Sequence, residues 1–211
     1  ATPRDPGEGE MIVLPTLNGG IKLVIEREQD WDNLKSISDD AAEDFSKRFS
    51  LLMDEDSMWD EIVEPELKDQ FSSQVTFVKK QVELAFDNSV DDFEEELPEI
   101  SIAKEEAELW YGALNQARLS FEEKFGKEIE ALKETGKIGN GEVVRALFRN
   151  QFYFRFQSEI IDHTYNPIVK RITELNKPVI CYVNGVAAGA GANLAICCDI
   201  TFAAKSAKFV Q

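Results

Sequence analysis

One histidine and three cysteines are all that 211 residues offer in soft metal ligands and imidazole. His163 alone cannot build a metal cluster, and its default reading is a solvent-facing residue at a helix end. Cys181, Cys197 and Cys198 are odd in number, and two are adjacent. They give neither a disulfide framework nor a tetrahedral metal set. Their apolar neighbours predict buried free thiols, hence a reducing, cytoplasmic setting. Basic charge is also scarce, with 23 Lys and Arg against 40 Asp and Glu, a net of −17. That argues against nucleic acid and against an anionic membrane surface as partners. The first ten residues, ATPRDPGEGE, are polar and broken by Pro and Gly. They predict a disordered tail and no signal peptide.

The charge is unevenly spread. Residues 162–211 hold three acids and five bases, a net of +2, which leaves −19 for the first 161. Such different balances predict two units, 11–161 and 162–211, and the second suits an anionic ligand. In the first, the apolar runs 11–14 and 21–25 are joined through Asn18-Gly19, which predicts a β-hairpin. The pattern then turns helical. One helix carries Phe45, Phe49, Leu52 and Met53 behind the capping residues Ser38, Asp39 and Asp40. A second enters at Pro65 and aligns Leu67, Phe71, Val75, Val78 and Val82 on one face. After an acidic connector at 87–99, a third spans 102–125 and stops at Gly126. Residues 136–141 read as a loop. A fourth helix, 143 to about 161, brings Phe148, Phe152, Tyr153, Phe154 and Phe156, read as core rather than a ligand cage. The many carboxylates are solvated helix faces on this reading. Nothing in 11–161 supplies a nucleophile beside a base, or a phosphate loop. The fold class is α+β, mostly helical.

The one long uncharged run lies between Lys177 and Asp199. Val179, Ile180, Tyr182 and Val183 predict a short buried strand, broken at Asn184-Gly185. Ala187, Ala188, Gly189, Ala190, Gly191 and Ala192 then lead into helical spacing at Asn193-Leu194-Ala195-Ile196. A strand passing through small residues into a helix aims several backbone N–H groups at one place and lets a ligand carbonyl approach them. The chemical reading is an oxyanion site made of main chain. Two other readings compete. Gly185 and Gly189 spell a transmembrane GxxxG pair, but Asn184 and Asn193 and the weakly apolar Ala and Gly oppose a membrane span. On the residues alone, glycines chosen only for tight packing remain the simpler account.

The text YNPIVKRITELNKPVICYVNGVAAGAGANLAICCDITFAAKSAKFVQ, residues 165–211, resembles the middle of the crotonase superfamily. The likeness is to the phenylacetate-pathway branch that isomerises ring-epoxide acyl-CoA thioesters. The motifs K-P-V-I, V-N-G-V-A-A-G-A-G-A, C-D-I and A-K-S-A-K-F occur in order. Residues 11–161, through LMDEDSMWDEIVEPEL and WYGALNQAR, resemble in texture an uncharacterised bacterial family of acidic helical proteins. The crotonase resemblance implies a fold of repeated ββα units, of which 162–211 is one partial β-α-β piece, and frequent homo-oligomers. It also implies an acyl-CoA thioester as substrate, with no cofactor beyond its coenzyme A. It puts the second oxyanion donor on the N–H of Ala190, flanked by Gly189 and Gly191, with Ala187 and Asn193 also against the substrate.

Asn193 stands where hydratases carry a catalytic Glu, and a neutral amide cannot serve as a carboxylate base. That counts against simple water addition, and the isomerase branch uses a carboxylate further along, beyond Gln211. The motif holding the first donor would fall near Gly139-Asn140-Gly141-Glu142-Val143, where an ordinary Asn-Gly loop capping a helix fits better. Expected from all this is an acyl-CoA isomerase or hydratase relative, incomplete as this chain. The alternatives are a non-catalytic acidic helical interaction protein and an artificial fusion.

Overall fold

The computed structural model describes residues 11–41, 64–91, 97–135, 141–188 and 190–210. The expected tail at 1–10 and the expected helix through Phe45, Phe49, Leu52 and Met53 lie outside them. The protein is mostly helical with a few strands, and it divides into two compact units at Glu159/Ile160.

The N-terminal unit opens with the expected hairpin. Strands β1 (Ile12–Pro15) and β2 (Ile21–Val24) pair antiparallel, Ile12 opposite Val24 and Pro15 opposite Ile21. The turn needs one left-handed residue, and Gly19 supplies it at φ 82°. A third strand, β3 (Glu99–Ile102), extends the sheet along β2, with Ile21 opposite Ile102 and Leu23 opposite Ile100. These four side chains all point into the core. The sequence reading made Glu99 the end of a connector and Ile102 a helix start. Four residues with two inward isoleucines are too short to signal themselves, and the edge of β2 recruits them.

Helix α1 (Glu28–Asp40) buries Trp31, Leu34 and Ile37. Ser38, Asp39 and Asp40 form the last turn of this helix. Helix α2 (Glu64–Asp91) carries Pro65 in its first turn as expected, buries Val78 and Val82, and runs five residues, 87–91, into the expected connector. Helix α3 (Ala107–Thr135) follows a single 3-10 turn and buries Trp110, Ala113, Leu114, Ala117 and Phe121. Its predicted stop at Gly126 is overridden: a mid-helix glycine costs only about 1 kcal/mol, and the apolar pattern continues through Ile129. Helix α4 (Gly141–Ile160) places Phe152, Tyr153 and Phe156 in the core. Phe148 and Phe154 are 69% and 53% exposed, which corrects their reading as core.

Polar side chains tie the helices together. Gln116 donates to Gln74 Oε1 across α2 and α3 at 2.9 Å. Arg118 donates to Gln157 Oε1 at 2.5 Å, and Gln157 donates to the Tyr111 carbonyl at 3.2 Å, joining α3 to α4. Tyr153 donates to Asp40 Oδ2 at 2.7 Å, and Arg149 Nη2 donates to Asp40 Oδ1 at 3.2 Å, joining α4 to α1.

The C-terminal unit begins with a π-helical turn, Ile161–Tyr165, and helix α5 (Asn166–Thr173). Pro167 accounts for the turn, because it has no N–H for the residue four back and its ring crowds that carbonyl. His163, expected to face solvent, is half-buried within the turn. Strands β4 (Ile180–Val183) and β5 (Val186–Ala188), helix α6 (Ala190–Ile196), and strands β6 (Ile200–Ala203) and β7 (Lys208–Val210) complete the unit. β4 pairs parallel with β6, and β5 with β7, each through the α6 crossover.

Candidate functional site

The uncharged run folds as strand, bend, strand, helix. Asn184-Gly185 ends β4 as the residue types demand, but 186–188 pair with β7 instead of leading straight into the helix. The expected buried strand is buried on one side only. Val183 is 8% exposed, whereas Ile180 and Tyr182 are 60% and 67% exposed, because successive residues of a strand face opposite ways. Behind β4 lies a small-residue core of Val183, Ala187, Ala192 and Ala195, with Cys181 and Ala207 against it.

Of the predicted site residues, Ala187 and Gly191 line one cavity of about 500 Å3, bounded by Ile168 and Ile172 of α5 and by Val183 and Leu194. Ala190 is the first residue of α6. Gly189 lies outside the described residues. Asn193 is exposed on α6 and does not line the cavity; its carbonyl accepts the Cys197 N–H at 3.0 Å. Gly191 is exposed, and a Cβ built on it meets nothing within 4 Å among the described residues. Packing among the described residues therefore does not demand glycine at 191.

Nothing acidic lines the cavity among the described residues. Its titratable groups are Tyr182, Cys181 and Cys198. Burial, then the neighbouring thiols of Cys197 and Cys181, push the Cys198 thiol up, away from a nucleophilic thiolate. All three cysteines are free and half-buried, less enclosed than their sequence neighbours suggested. Cys197 and Cys198 both donate to the Leu194 carbonyl, at 3.1 and 3.2 Å, so they cap the end of α6. Among the described residues no group of three His, Cys, Asp or Glu could hold a metal ion, and no helix is long and apolar enough to cross a membrane.

Residues 148–211 match the enoyl-CoA hydratase/isomerase family. The matched region starts 17 residues before the stretch that carries the sequence resemblance, inside α4. Over 51 residues, 24% of this chain and 20% of the relative, the identity to the 1,2-epoxyphenylacetyl-CoA isomerase of Escherichia coli (strain K12) is 64%. A probable enoyl-CoA hydratase of Rhodobacter capsulatus is 46% identical over 52 residues, 25% of this chain and 20% of that one. The mitochondrial enoyl-CoA hydratase of Pongo abelii is 34% identical over 101 residues, 46% of this chain and 32% of that one. The chain thus spans a fifth to a third of the length of these relatives. No solved structure matches.

Within the enoyl-CoA hydratase/isomerase-like segment, Asp199 has a structural task that sequence reading assigned only to a motif. Its carboxylate accepts the Val179 N–H at 2.8 Å, and its own N–H donates to the Val179 carbonyl at 3.0 Å. Together these fix the start of β4 against β6. Thr201 Oγ1, donating to the Ala195 carbonyl at 2.6 Å, holds α6 over the same ladder. The one signal that could have exposed this clamp is Pro178, which forces an extended Lys177 and leaves the next N–H in need of a partner.

Proposed function

We propose that the C-terminal unit derives from, and retains part of, an acyl-CoA isomerase or hydratase site that stabilises a thioester enolate through main-chain donors. The donor is the Ala190 N–H, at the first residue of α6, where the helix dipole also favours developing negative charge. Such a preorganised donor is worth about 100- to 1000-fold in rate. The open space beside Gly191 carries the reading, since a thioester oxygen needs close approach to that backbone. Gly189, Gly191 and Ala187 border the acyl group, and Asn193 replaces a carboxylate, which favours isomerisation over hydration. The ligand is an acyl-CoA, with no cofactor beyond its coenzyme A, and the free thiols suit the cytoplasm.

As this chain the site is incomplete. No carboxylate reaches the cavity among the described residues. Ile180, Tyr182, Ile200 and Phe202, opposite one another along β4 and β6, form an apolar face that is 47–67% exposed. Further ββα turns or a second copy of the chain would stack there.

The test is calorimetric titration of the full chain with a non-hydrolysable acyl-CoA, with Ala190→Pro beside it. Proline is accepted at a first helical position, so the variant deletes the N–H and spares the helix. Saturable binding that the variant loses supports the proposal. A folded parent that gives no heat sinks it and leaves the segment as a packing element of a non-catalytic protein.

A further inference from the structure

All three cysteines of the chain fall between 181 and 198, and the proposed thioester chemistry uses none of them. The fold gathers them. Cys181 is the second residue of β4, and Cys197 and Cys198 directly follow the last residue of α6. α6 packs against β4, so the helix end comes back to the strand that leads into the crossover. Cys197 and Cys198 donate to one carbonyl, that of Leu194. The Cys198 thiol is also hydrogen-bonded to the thiols of Cys181 and Cys197.

Cys181 and Cys198 both line the cavity of about 500 Å3, and Cys197 does not. Both are free and half-buried, so a small molecule entering the cavity meets the two thiols side by side. Cys197 and Cys198 are badly placed to join each other. Adjacent Cα atoms stand about 3.8 Å apart, whereas a disulfide usually spans about 4.4–6.8 Å. Cys181 and Cys198 lie on separate elements and carry no such constraint.

We infer that Cys181 and Cys198 are a redox-responsive dithiol, which a low-molecular-weight disulfide of the glutathione kind converts to a reversible intrachain bridge. The Cys181 thiolate attacks one sulfur of the small disulfide, and the other half leaves as a thiolate. The Cys198 thiolate then attacks the Cys181 sulfur of this mixed disulfide and expels the second half. The two protons given up by the cysteines end on the two leaving groups. The pair is oxidised by two electrons, and the small disulfide is reduced to two thiols. Contact between the two side chains favours the second attack over capture by another molecule. Cys198, held protonated at rest, slows the exchange without blocking it, because the thiolate of a less acidic thiol is the stronger nucleophile. The bridge ties the end of α6 to β4 and closes a loop, residues 182–197, that contains the whole run from Asn184 to Gly191. In a reducing compartment the pair rests as thiols, and a bridge there is a transient, sensing one. The inference does not depend on the acyl-CoA reading.

The test equilibrates the full folded chain with oxidised glutathione, alkylates the thiols that remain, and reads the mass before and after dithiothreitol. The expected product carries no glutathione, has a single thiol left to alkylate, and returns to three on reduction. All three cysteines lie in one tryptic stretch, 172–205, so chymotrypsin, which cuts after Tyr182, is used to separate Cys181 from the other two. Cys197→Ser still forms the bridge. Cys181→Ser and Cys198→Ser each stop at a glutathione adduct. Amide hydrogen exchange across α6 slows in the bridged chain. Three free thiols, under conditions in which the urea-unfolded chain oxidises, overturn the inference. So do glutathione adducts alone in the parent, or a bridge that Cys181→Ser leaves in place. None of these readouts involves an acyl-CoA, so the result stands whichever way that titration falls.

Discussion

Replacing Gly112 by alanine tests whether the α2–α3 crossing is set by one buried amide. In an ordinary exposed helix Gly→Ala stabilises by about 1 kcal/mol, because alanine loses less backbone freedom on folding. Here the added Cβ overlaps the side-chain amide of Gln74, a residue only 4% exposed. That amide can swing away only by giving up Gln116, which donates to it at 2.9 Å and is equally buried. Leaving a buried amide unpaired costs about 1–3 kcal/mol, and forcing the helices apart costs a similar amount. The clash outweighs the propensity gain, so Gly112→Ala lowers stability by about 1–2 kcal/mol. In a Gln74→Ala background the obstacle is gone, and the same change raises stability by up to about 1 kcal/mol. Urea unfolding followed by circular dichroism on the four proteins gives the coupling, provided the slopes agree. Equal destabilisation in both backgrounds, or stabilisation in the parent, would refute the reasoning.

Asp40 and Asp199 make two further predictions. Burial, against the opposing Tyr153 hydrogen bond and Arg149, holds the Asp40 carboxyl above the ordinary carboxylate range. The folded chain therefore binds that proton more tightly than the unfolded one, and Asp40's contribution to stability fades as pH rises through the raised value. Relative to the parent, Asp40→Asn should gain stability as pH rises from the ordinary carboxylate range through the raised one; a difference that is flat or falls with pH excludes this. Asp199→Ala frees the Val179 N–H, which water can reach, so the expected loss is about 1 kcal/mol. Its local signature is faster hydrogen exchange at Val179 and Ile200, and unchanged protection at both would show that the carboxylate does not hold the ladder.

What the sequence made legible follows from how local each signal is. The hairpin announces itself through Asn18-Gly19, α2 through Pro65 and its apolar stripe, and α4 through its aromatic period. Helix α1 escaped because its acids frame both ends, so Ser38-Asp39-Asp40 imitates a start where Trp31, Leu34 and Ile37 had already made a helix. Strand β3 escaped because its cause is β2, about 75 residues away in sequence and invisible to any local window.

The C-terminal unit inverts the usual relation between folding and legibility. Its motif residues are the clearest in the chain, yet its core consists of Val183, Ala187, Ala192 and Ala195, while its large apolar residues Ile180, Tyr182, Ile200 and Phe202 face outward. A sequence shaped only by its own stability would place the large side chains inside and the small ones outside. The small residues are instead concentrated around the exposed Gly191, and the large ones lie opposite one another along the parallel β4–β6 ladder. That division agrees with the proposal of a site made of main chain. Ile180 and Tyr182 also line the cavity that Ala187 and Gly191 border, so this apolar surface lies beside the small-residue turn and is of the kind that a stacked layer covers.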